Sequence, residues 1–212
     1  MPRLTRAAKQ AQTRQKLLDA ARAVFTAHGF AGASVDAIAD GAGFSKGAFY
    51  SNFGSKEELA VQVLSHLLDD ELRTLEAIAD RFAGRSEAVR RALAATYAFR
   101  SMSPKAVLLG LELLLHAAHD APLRAELAKI YKARGTAKAA LLARLAGPGR
   151  SLRADPGLVA DIFSAITQGH AALLAGGGEP APISDMIELL LPVLLDTASF
   201  TPAESADPVH PG

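Results

Sequence analysis

The sequence predicts an all-helical protein. Apolar residues recur three and four positions apart almost to the end of the 212-residue chain, and no segment shows the alternation of a half-buried strand. Half of the residues are hydrophobic, which is enough to build one or two compact domains. Clusters of glycine and proline divide the pattern into segments of helical length. We therefore expect helices packed around a buried core.

Three short stretches near the amino terminus begin or end like helices. The first helix should stop near His28 and Gly29. Ser34 can cap a second helix that runs to about Ala42, because its hydroxyl accepts a hydrogen bond from a first-turn amide, and Ser45 can cap a third. The apolar stripe of the first helix consists of Leu17, Leu18, Ala21, Val24 and Phe25.

The second and third helices should meet at a sharp turn. Gly41 and Gly43 permit backbone angles that branched residues resist, and Ala39 lets the two helices cross closely. Phe49 and Phe53 recur at helical spacing and can pack inward. The outward positions are then Lys46, Gly47, Ala48, Tyr50 and Asn52. This is the pattern of a helix-turn-helix, and its expected partner is DNA.

A long helix should follow and link this unit to the rest of the chain. Ser55 and Glu58 have capping-box spacing and begin a helix that extends to about Arg81. Ser86 can cap a further helix, and Pro104 opens an unusually apolar one. The apolar pattern beyond them defines three more helices, separated by glycine-rich breaks at 147–149 and 176–178 and ending near residue 195.

The last two helices carry broad apolar stripes, which suit either a monomer core or a two-fold four-helix interface. Pro192 lies inside the final helix and should bend it or remove a hydrogen bond. Three prolines follow Phe200, so we expect a disordered tail over 201–212.

The motifs resemble those of one family. The stretches G-F-A-G-A-S (29–34), A-G-F-S-K-G-A-F-Y-S-N-F (42–53) and K-E-E-L (56–59) resemble the DNA-binding domain of TetR-family transcriptional regulators. The resemblance covers about residues 12–65, and the rest of the chain matches only in length and helical layout. It implies an all-helical homodimer, joined through the last two helices, that binds a palindromic operator and releases it on meeting a small molecule.

We accordingly expect an amino-terminal arm and DNA-binding domain over 1–55, a helical ligand-binding and dimerisation domain over 56–200, and the tail beyond. The net charge is only +1, but residues 1–16 contain five basic residues and no acidic one. This segment is either a solvated tail or an arm that touches the minor groove or the phosphates.

Composition excludes several classes of protein. The chain has no cysteine, so disulfides and thiolate metal sites are excluded. The densest apolar stretch, 106–115, is interrupted by Glu112 and is shorter than the roughly 20 residues that cross a bilayer. We expect a cytoplasmic protein without a membrane segment.

Each outward position of the helix-turn-helix has an expected contact with DNA. Gly47 and Ala48 allow close approach to the major-groove floor, and Ala48 can touch a thymine methyl. Lys46 can donate to guanine or bind a phosphate, and Asn52 is also expected to contact DNA, with the contacted group left open. The expected phosphate ligands are Ser34, Ser45, Tyr50 and Lys56. The alternatives are a packed surface ring for Tyr50 and a solvated lysine at position 56.

A small-molecule pocket should lie among the central helices, with aliphatic walls that favour an apolar effector. Glu112 interrupts an apolar segment and can either attract a cationic ligand or pair with Arg100. The candidate lining residues are Tyr97, Arg100, Met102, Leu109, Glu112, Leu113, His116, Tyr131, Phe163 and Gln168.

No enzyme, cofactor or metal site is predicted. The chain lacks a nucleophile elbow, a phosphate loop and a paired-carboxylate arrangement. His116 and His119 have a spacing that can hold a metal, but a helix end with Asp120 capping the next helix explains them better. The predicted function is a ligand-released repressor; the alternative is a DNA-binding activator, or a regulator without a small-molecule effector.

Overall fold

The computed structural model describes residues 5–81, 104–146 and 154–194. Every regular element within these ranges is an α-helix, so the predicted fold class is confirmed. The predicted helix that begins at Ser86 and the tail over 201–212 lie outside the described residues. The helices are α1 (Arg6–Gly32), α2 (Val35–Ala42), α3 (Lys46–Tyr50), α4 (Lys56–Arg81), α5 (Pro104–Ala117), α6 (Ala121–Ala146), α7 (Pro156–Ala175) and α8 (Ile183–Leu194).

Helix α1 starts earlier than the basic amino-terminal segment suggests. The Thr5 hydroxyl accepts a hydrogen bond from the Ala8 N–H at 3.2 Å and caps the helix, so α1 begins at Arg6. From residue 6 onward the basic segment is therefore helical and not a disordered tail, while its contact with the minor groove or the phosphates stays a prediction. The predicted stop near His28 appears as a break at Gly29, where φ is 70° and ψ is 177°, before a last turn that ends at Gly32.

The caps of the helix-turn-helix form as the sequence predicts. Ser34 accepts from the Ala37 N–H at 3.1 Å, and Ser45 accepts from the Ala48 N–H at 3.2 Å. Gly43 ends α2 in the left-handed conformation with φ of 75°. The Glu58 N–H donates to Ser55 at 3.1 Å, but the Glu58 carboxylate accepts from the Gly54 N–H, one residue earlier than a capping box requires.

The described helices enclose two apolar clusters. The first joins α1, α2 and α3 to the first half of α4, to α5 and to the start of α6. The second joins the later part of α4 to the end of α6, to α7 and to α8. The first cluster crosses the predicted domain boundary after residue 55, because Leu59, Leu113 and Leu127 pack in it beside Ile38 and Phe49. The recognition helices therefore share a core with α5.

Helix α7 is the one described helix that is long and apolar enough to cross a membrane by length and composition. Val159 and Phe163 are buried in the second cluster, while Leu158 and Leu173 are exposed. The final helix, α8, continues past Pro192 to Leu194.

Candidate functional site

The exposed side of the helix-turn-helix has an apolar floor. Phe49 and Phe53 are fully buried beneath α3, with their ring centroids 5.9 Å apart. Ser34, Ser45, Lys46 and Gly47 are exposed, and Ala48 is half-buried. Tyr50 is 52% exposed, with the edge of its ring against Phe49. We call Ser34, Ser45, Lys46, Gly47, Ala48 and Tyr50 the recognition face, because these residues surround one exposed surface.

Lys46 has an acidic neighbour that the sequence analysis missed. Its ammonium lies 3.0 Å from the Asp36 carboxylate of α2, and both side chains are more than half exposed. The hydrogen bond to Asp36, together with its negative charge, raises the pKa of Lys46 above the usual 10.5. Lys46 therefore stays cationic at any physiological pH. An exposed pair of this kind is weak, so Lys46 can exchange Asp36 for another anion at little cost.

Within the described residues, neither packing nor backbone conformation requires a glycine at position 47. A Cβ atom at this position would meet only the Ser45 hydroxyl oxygen, at 3.7 Å, which is ordinary contact distance. The φ angle of Gly47 is not positive, so the backbone does not require glycine either. The missing side chain leaves the middle of the recognition face flat, as close approach to a groove requires.

Asn52 was predicted to face outward, but its side chain is bound to its own helix. Its amide nitrogen donates to the Ala48 carbonyl at 2.8 Å, and the residue is half-buried. The amide thus satisfies a carbonyl at the carboxyl end of α3. The predicted place of Asn52 on the outer surface is wrong, because the carboxyl end of a five-residue helix leaves carbonyls that this side chain can reach.

Lys56 was predicted to bind a phosphate, but it holds the end of α1. Its ammonium donates to the carbonyls of Phe30 at 2.9 Å and Ala33 at 3.0 Å, and lies 4.3 Å from the centre of the Phe30 ring. These contacts occupy the ammonium on the inner side of the domain, so Lys56 is not part of the recognition face. Ala33 directly precedes the cap of α2, and Lys56 therefore fixes the start of α2.

Arg14 is a second cation that supports the recognition face without being part of it. Its guanidinium lies 4.0 Å from the centre of the Phe53 ring, donates to the Asn52 carbonyl and pairs with Glu58 at 3.6 Å. In the sequence, Arg14 is only one of five basic residues in the segment 1–16. It braces the junction of α3 and α4.

A cavity of about 360 Å³ lies among α4, α5, α6 and α7. Of the predicted pocket residues, Tyr131 and Gln168 line it. Leu109 and Leu113 pack in the first apolar cluster and Phe163 packs in the second. These three belong to the cores because their helices turn them away from the cavity. Tyr97, Arg100 and Met102 lie outside the described residues, as does the predicted pairing of Glu112 with Arg100.

Glu112 and His116 do not line the cavity. The Glu112 carboxylate accepts a hydrogen bond from the Ala31 N–H at 3.0 Å, and the His116 ring lies 5.4 Å from the Phe30 ring. Both residues therefore point from α5 to the last turn of α1. The predicted ligand-binding role is wrong for both positions, since the break at Gly29 brings the end of α1 against this face of α5.

Charged residues at the cavity form pairs that the sequence analysis did not predict. Lys138 of α6 lies 3.2 Å from Glu71 of α4, and Arg134 pairs with Asp69. Burial, and then the negative charge of Glu71, raise the pKa of Tyr131 above its usual 10.0. The Tyr131 hydroxyl therefore remains a hydrogen-bond donor at physiological pH.

Comparisons with known proteins agree with this architecture. The family described as bacterial regulatory proteins, tetR family, matches residues 17–63. The transcriptional repressor AcnR of Corynebacterium efficiens is 27% identical over 86% of this chain and 92% of its own length. A TetR-family regulator of Pectobacterium atrosepticum is 28% identical, with a TM-score of 0.67 over 91% of this chain and 98% of its own.

A more distant structure has the same fold. The regulator FadR of Bacillus subtilis, solved in complex with stearoyl-CoA, is 18% identical, with a TM-score of 0.64 over 84% of this chain and 96% of its own. At this identity the likeness concerns the fold alone. The family match contains the recognition face, and the longer alignments extend across the helices around the cavity.

Proposed function

We propose that this chain, which belongs to the TetR family of DNA-binding transcriptional regulators, is a repressor that binds a palindromic operator as a homodimer and is released by a small molecule. The observation that carries the proposal is the flat, exposed recognition face on α2 and α3, supported by the buried rings of Phe49 and Phe53. The similarity to AcnR, which is named a repressor and is matched over most of both chains, favours repression over activation. A regulator of this kind works in the cytoplasm.

The recognition face offers groups of three kinds to DNA. Gly47 and Ala48 lie against the floor of the major groove, where the Ala48 methyl can contact a thymine methyl. Lys46 exchanges Asp36 for a guanine edge or a phosphate. The hydroxyls of Ser34 and Ser45 accept from backbone N–H groups, so their own protons are available to phosphate oxygens, as is the exposed hydroxyl of Tyr50.

A second copy of the chain is needed to read both halves of a palindrome. The recognition helices of a dimer must lie about 34–36 Å apart, which is one turn of DNA. The exposed leucines of α7 and α8 favour an interface formed by these two helices. They are Leu158, Leu173, Leu174 and Leu189. Polar or charged residues are more common at such positions when a helix surface faces water.

Release follows from the double role of α5. Val107, Gly110 and Leu111 form one wall of the cavity, and Glu112 and His116 on the same helix contact the end of α1. The end of α1 continues directly into the cap of α2. A molecule that fits the cavity better when α5 has shifted would move α1 and α2 and lower DNA affinity, provided that it binds the two states differently.

Selection of DNA followed by a reporter assay tests this function. The purified protein is first used to select binding sequences from random double-stranded DNA. A promoter that overlaps the selected palindrome should then lose expression when the chain is present in a host that lacks it. A variant such as Tyr50→Ala, which alters the recognition face alone, should restore expression. A rise in expression with the wild-type chain would overturn the proposed repression.

A further inference from the structure

The cavity has one apolar side and one polar side. Leu64, Leu67 and Leu68 of α4 and Val107 and Leu111 of α5 form the apolar side. Tyr131, Arg134 and Lys138 of α6 form the polar side, together with Gln168 of α7. A molecule that covers both sides must itself be amphipathic, because apolar surface against the polar side would leave hydrogen-bonding groups unpaired.

The buried charges of the polar side are already balanced within the protein. The Lys138 and Glu71 side chains are only 13% and 8% exposed and lie 3.2 Å apart, and Arg134 is paired with Asp69. The remaining charged residue of the wall, Asp161, is exposed to solvent. An ionised ligand would lose its hydration without gaining an unpaired counter-charge, so the cavity disfavours both anions and cations.

Two uncharged groups remain available, beside the buried Nε–H of Arg134, which has no hydrogen-bond partner among the described residues and can also donate to a ligand oxygen. Within the described ranges, neither the Tyr131 hydroxyl nor the Gln168 amide makes a hydrogen bond to the protein, whereas Ser164 and Thr167 donate to carbonyls of their own helix at 2.9 and 2.8 Å. The Tyr131 hydroxyl and the Gln168 amide can each donate to an oxygen atom. The raised pKa of Tyr131 keeps its hydroxyl protonated.

Two glycines of the cavity wall, Gly110 and Gly135, leave space for a ligand. A Cβ atom at Gly110 would lie 3.2 Å from the Tyr131 hydroxyl oxygen, so glycine lets that hydroxyl approach α5. A Cβ atom at Gly135 would meet nothing within 4 Å, so this lining residue faces open space. The volume of about 360 Å³ is at the lower end of the range for small-molecule sites.

We propose that the cavity binds a neutral amphipathic molecule, with its apolar body against the leucines of α4 and α5 and an uncharged oxygen group, such as a ketone, ester or alcohol, against Tyr131 and Gln168. This proposal rests on the proposed function, since it names the chemical class of the molecule that releases the operator. It extends the expectation of an apolar effector by assigning it a polar, uncharged end.

The first test uses Nile red, a neutral dye with a carbonyl group whose emission shifts to the blue in apolar surroundings. The full-length wild-type chain should bind it. Gly135→Leu places its side chain in the cavity from a position where a Cβ atom meets nothing within 4 Å, and it should weaken binding by about tenfold or more. The matched control is Ala133→Leu, because Ala133 is exposed on the same helix and is not part of the cavity wall; it should bind like the wild type.

Competition at neutral pH then identifies the chemical class. Decan-2-one, decanoate and decylammonium share a similar chain and differ in the charge of the end group. Decan-2-one should displace the dye at a concentration about tenfold lower than either ion. Displacement first by decanoate or decylammonium, or unchanged dye binding to a folded Gly135→Leu, would overturn the proposal.

A second variant covers the case in which Gly135→Leu does not fold. Tyr131→Phe removes only the hydroxyl, and it should weaken decan-2-one several-fold. Unchanged affinity for the ketone in this variant would count against the assigned contact.

Operator titrations separate this proposal from the proposed function. If decan-2-one occupies the cavity and operator affinity does not fall, the ligand class stands and release through this cavity fails. If decanoate alone releases the operator from the wild type and has no effect on Gly135→Leu, release through this cavity is supported. The proposal that the ligand is neutral is then wrong.

Discussion

The carboxylate of Glu112 accepts a hydrogen bond from the backbone N–H of Ala31 at 3.0 Å, and this contact joins α5 to the last turn of α1. It depends on Gly29, because a Cβ atom there would lie 2.6 Å from one Glu112 oxygen. The neighbouring residues of α5 line the cavity, and the turn that contains Ala31 leads into the cap of α2. The contact therefore lies between a wall of the cavity and the cap that begins the recognition face.

Loss of the Glu112 carboxylate should loosen this junction. Glu112→Ala removes the acceptor of a charge-assisted hydrogen bond, so the free energy of unfolding should fall by about 1–2 kcal/mol. Chemical denaturation measures the change. Glu112→Gln keeps an acceptor oxygen and should lose less, and Glu126→Ala, at an exposed position of α6, should lose almost nothing. Equal losses in all three variants would contradict this role of Glu112.

Gly29 should tolerate substitution less well than Gly43, although both have positive φ. Gly43→Ala meets no atom within 4 Å and should cost only the left-handed strain, about 1–2 kcal/mol. Gly29→Ala should cost about 2–4 kcal/mol, because it must also displace Glu112 and break its hydrogen bond.

A double-mutant cycle isolates the part of the Gly29→Ala cost that comes from displacing Glu112. In a Glu112→Ala background, the cost of Gly29→Ala should fall to that of Gly43→Ala. If the costs of the two substitutions were simply additive, Gly29 and Glu112 would not be coupled.

Gly47→Ala should separate stability from function. The added methyl group fits against Ser45, and alanine favours a helix over glycine, so the free energy of unfolding should rise by up to about 0.5–1 kcal/mol. The same methyl group projects from the recognition face, so operator affinity should fall by about tenfold. Thermal unfolding and operator titration on the same sample measure both. Unchanged affinity would place the centre of α3 away from the DNA.

Lys46 and Lys56 should differ in what they support. Lys46→Ala should alter sequence preference, or reduce the slope of log affinity against log salt by about one, with little change in stability. Lys56→Met should lower the free energy of unfolding by about 1–3 kcal/mol, because the Phe30 and Ala33 carbonyls lose a cationic donor. A Lys56 variant that keeps full stability but loses affinity for every DNA sequence would support the original prediction that Lys56 binds a phosphate.

The pH dependence has a definite sign for Lys46. Its pKa is raised above 10.5, so protonation is complete well below that value and is lost only when the pH rises beyond it. Between about pH 6 and 9, operator affinity should not lose the Lys46 contribution. Titrations of wild type and Lys46→Ala across this range should give parallel curves.

The exposed leucines of the last two helices should hold the dimer. Leu189 is 76% exposed on α8, and Leu189→Asp should give monomers that keep their helical content but lose most operator affinity. Leu115 is 73% exposed on α5 and provides a matched control, since Leu115→Asp should leave the dimer intact. Sedimentation velocity distinguishes the species. A dimeric Leu189→Asp with wild-type affinity would contradict an interface at this position.

Features set by neighbouring residues were predictable, and features set by packing were not. The hydroxyl caps of α2 and α3 form because each serine lies three residues before the amide that it binds. Glu112 and Ala31 are 81 residues apart, so only the packing of α5 on α1 brings them together. Lys56 resembled an exposed first-turn lysine for the same reason, because the break at Gly29 turns the α1 carbonyls toward it.

The most direct test of DNA recognition is to sequence the genomic fragments that the purified chain retains at physiological salt. The recognition face and the two-fold interface together predict enrichment of one palindrome, with half-sites centred about one helical turn apart. A folded, dimeric sample that retains fragments with no shared sequence would contradict sequence-specific recognition by α2 and α3.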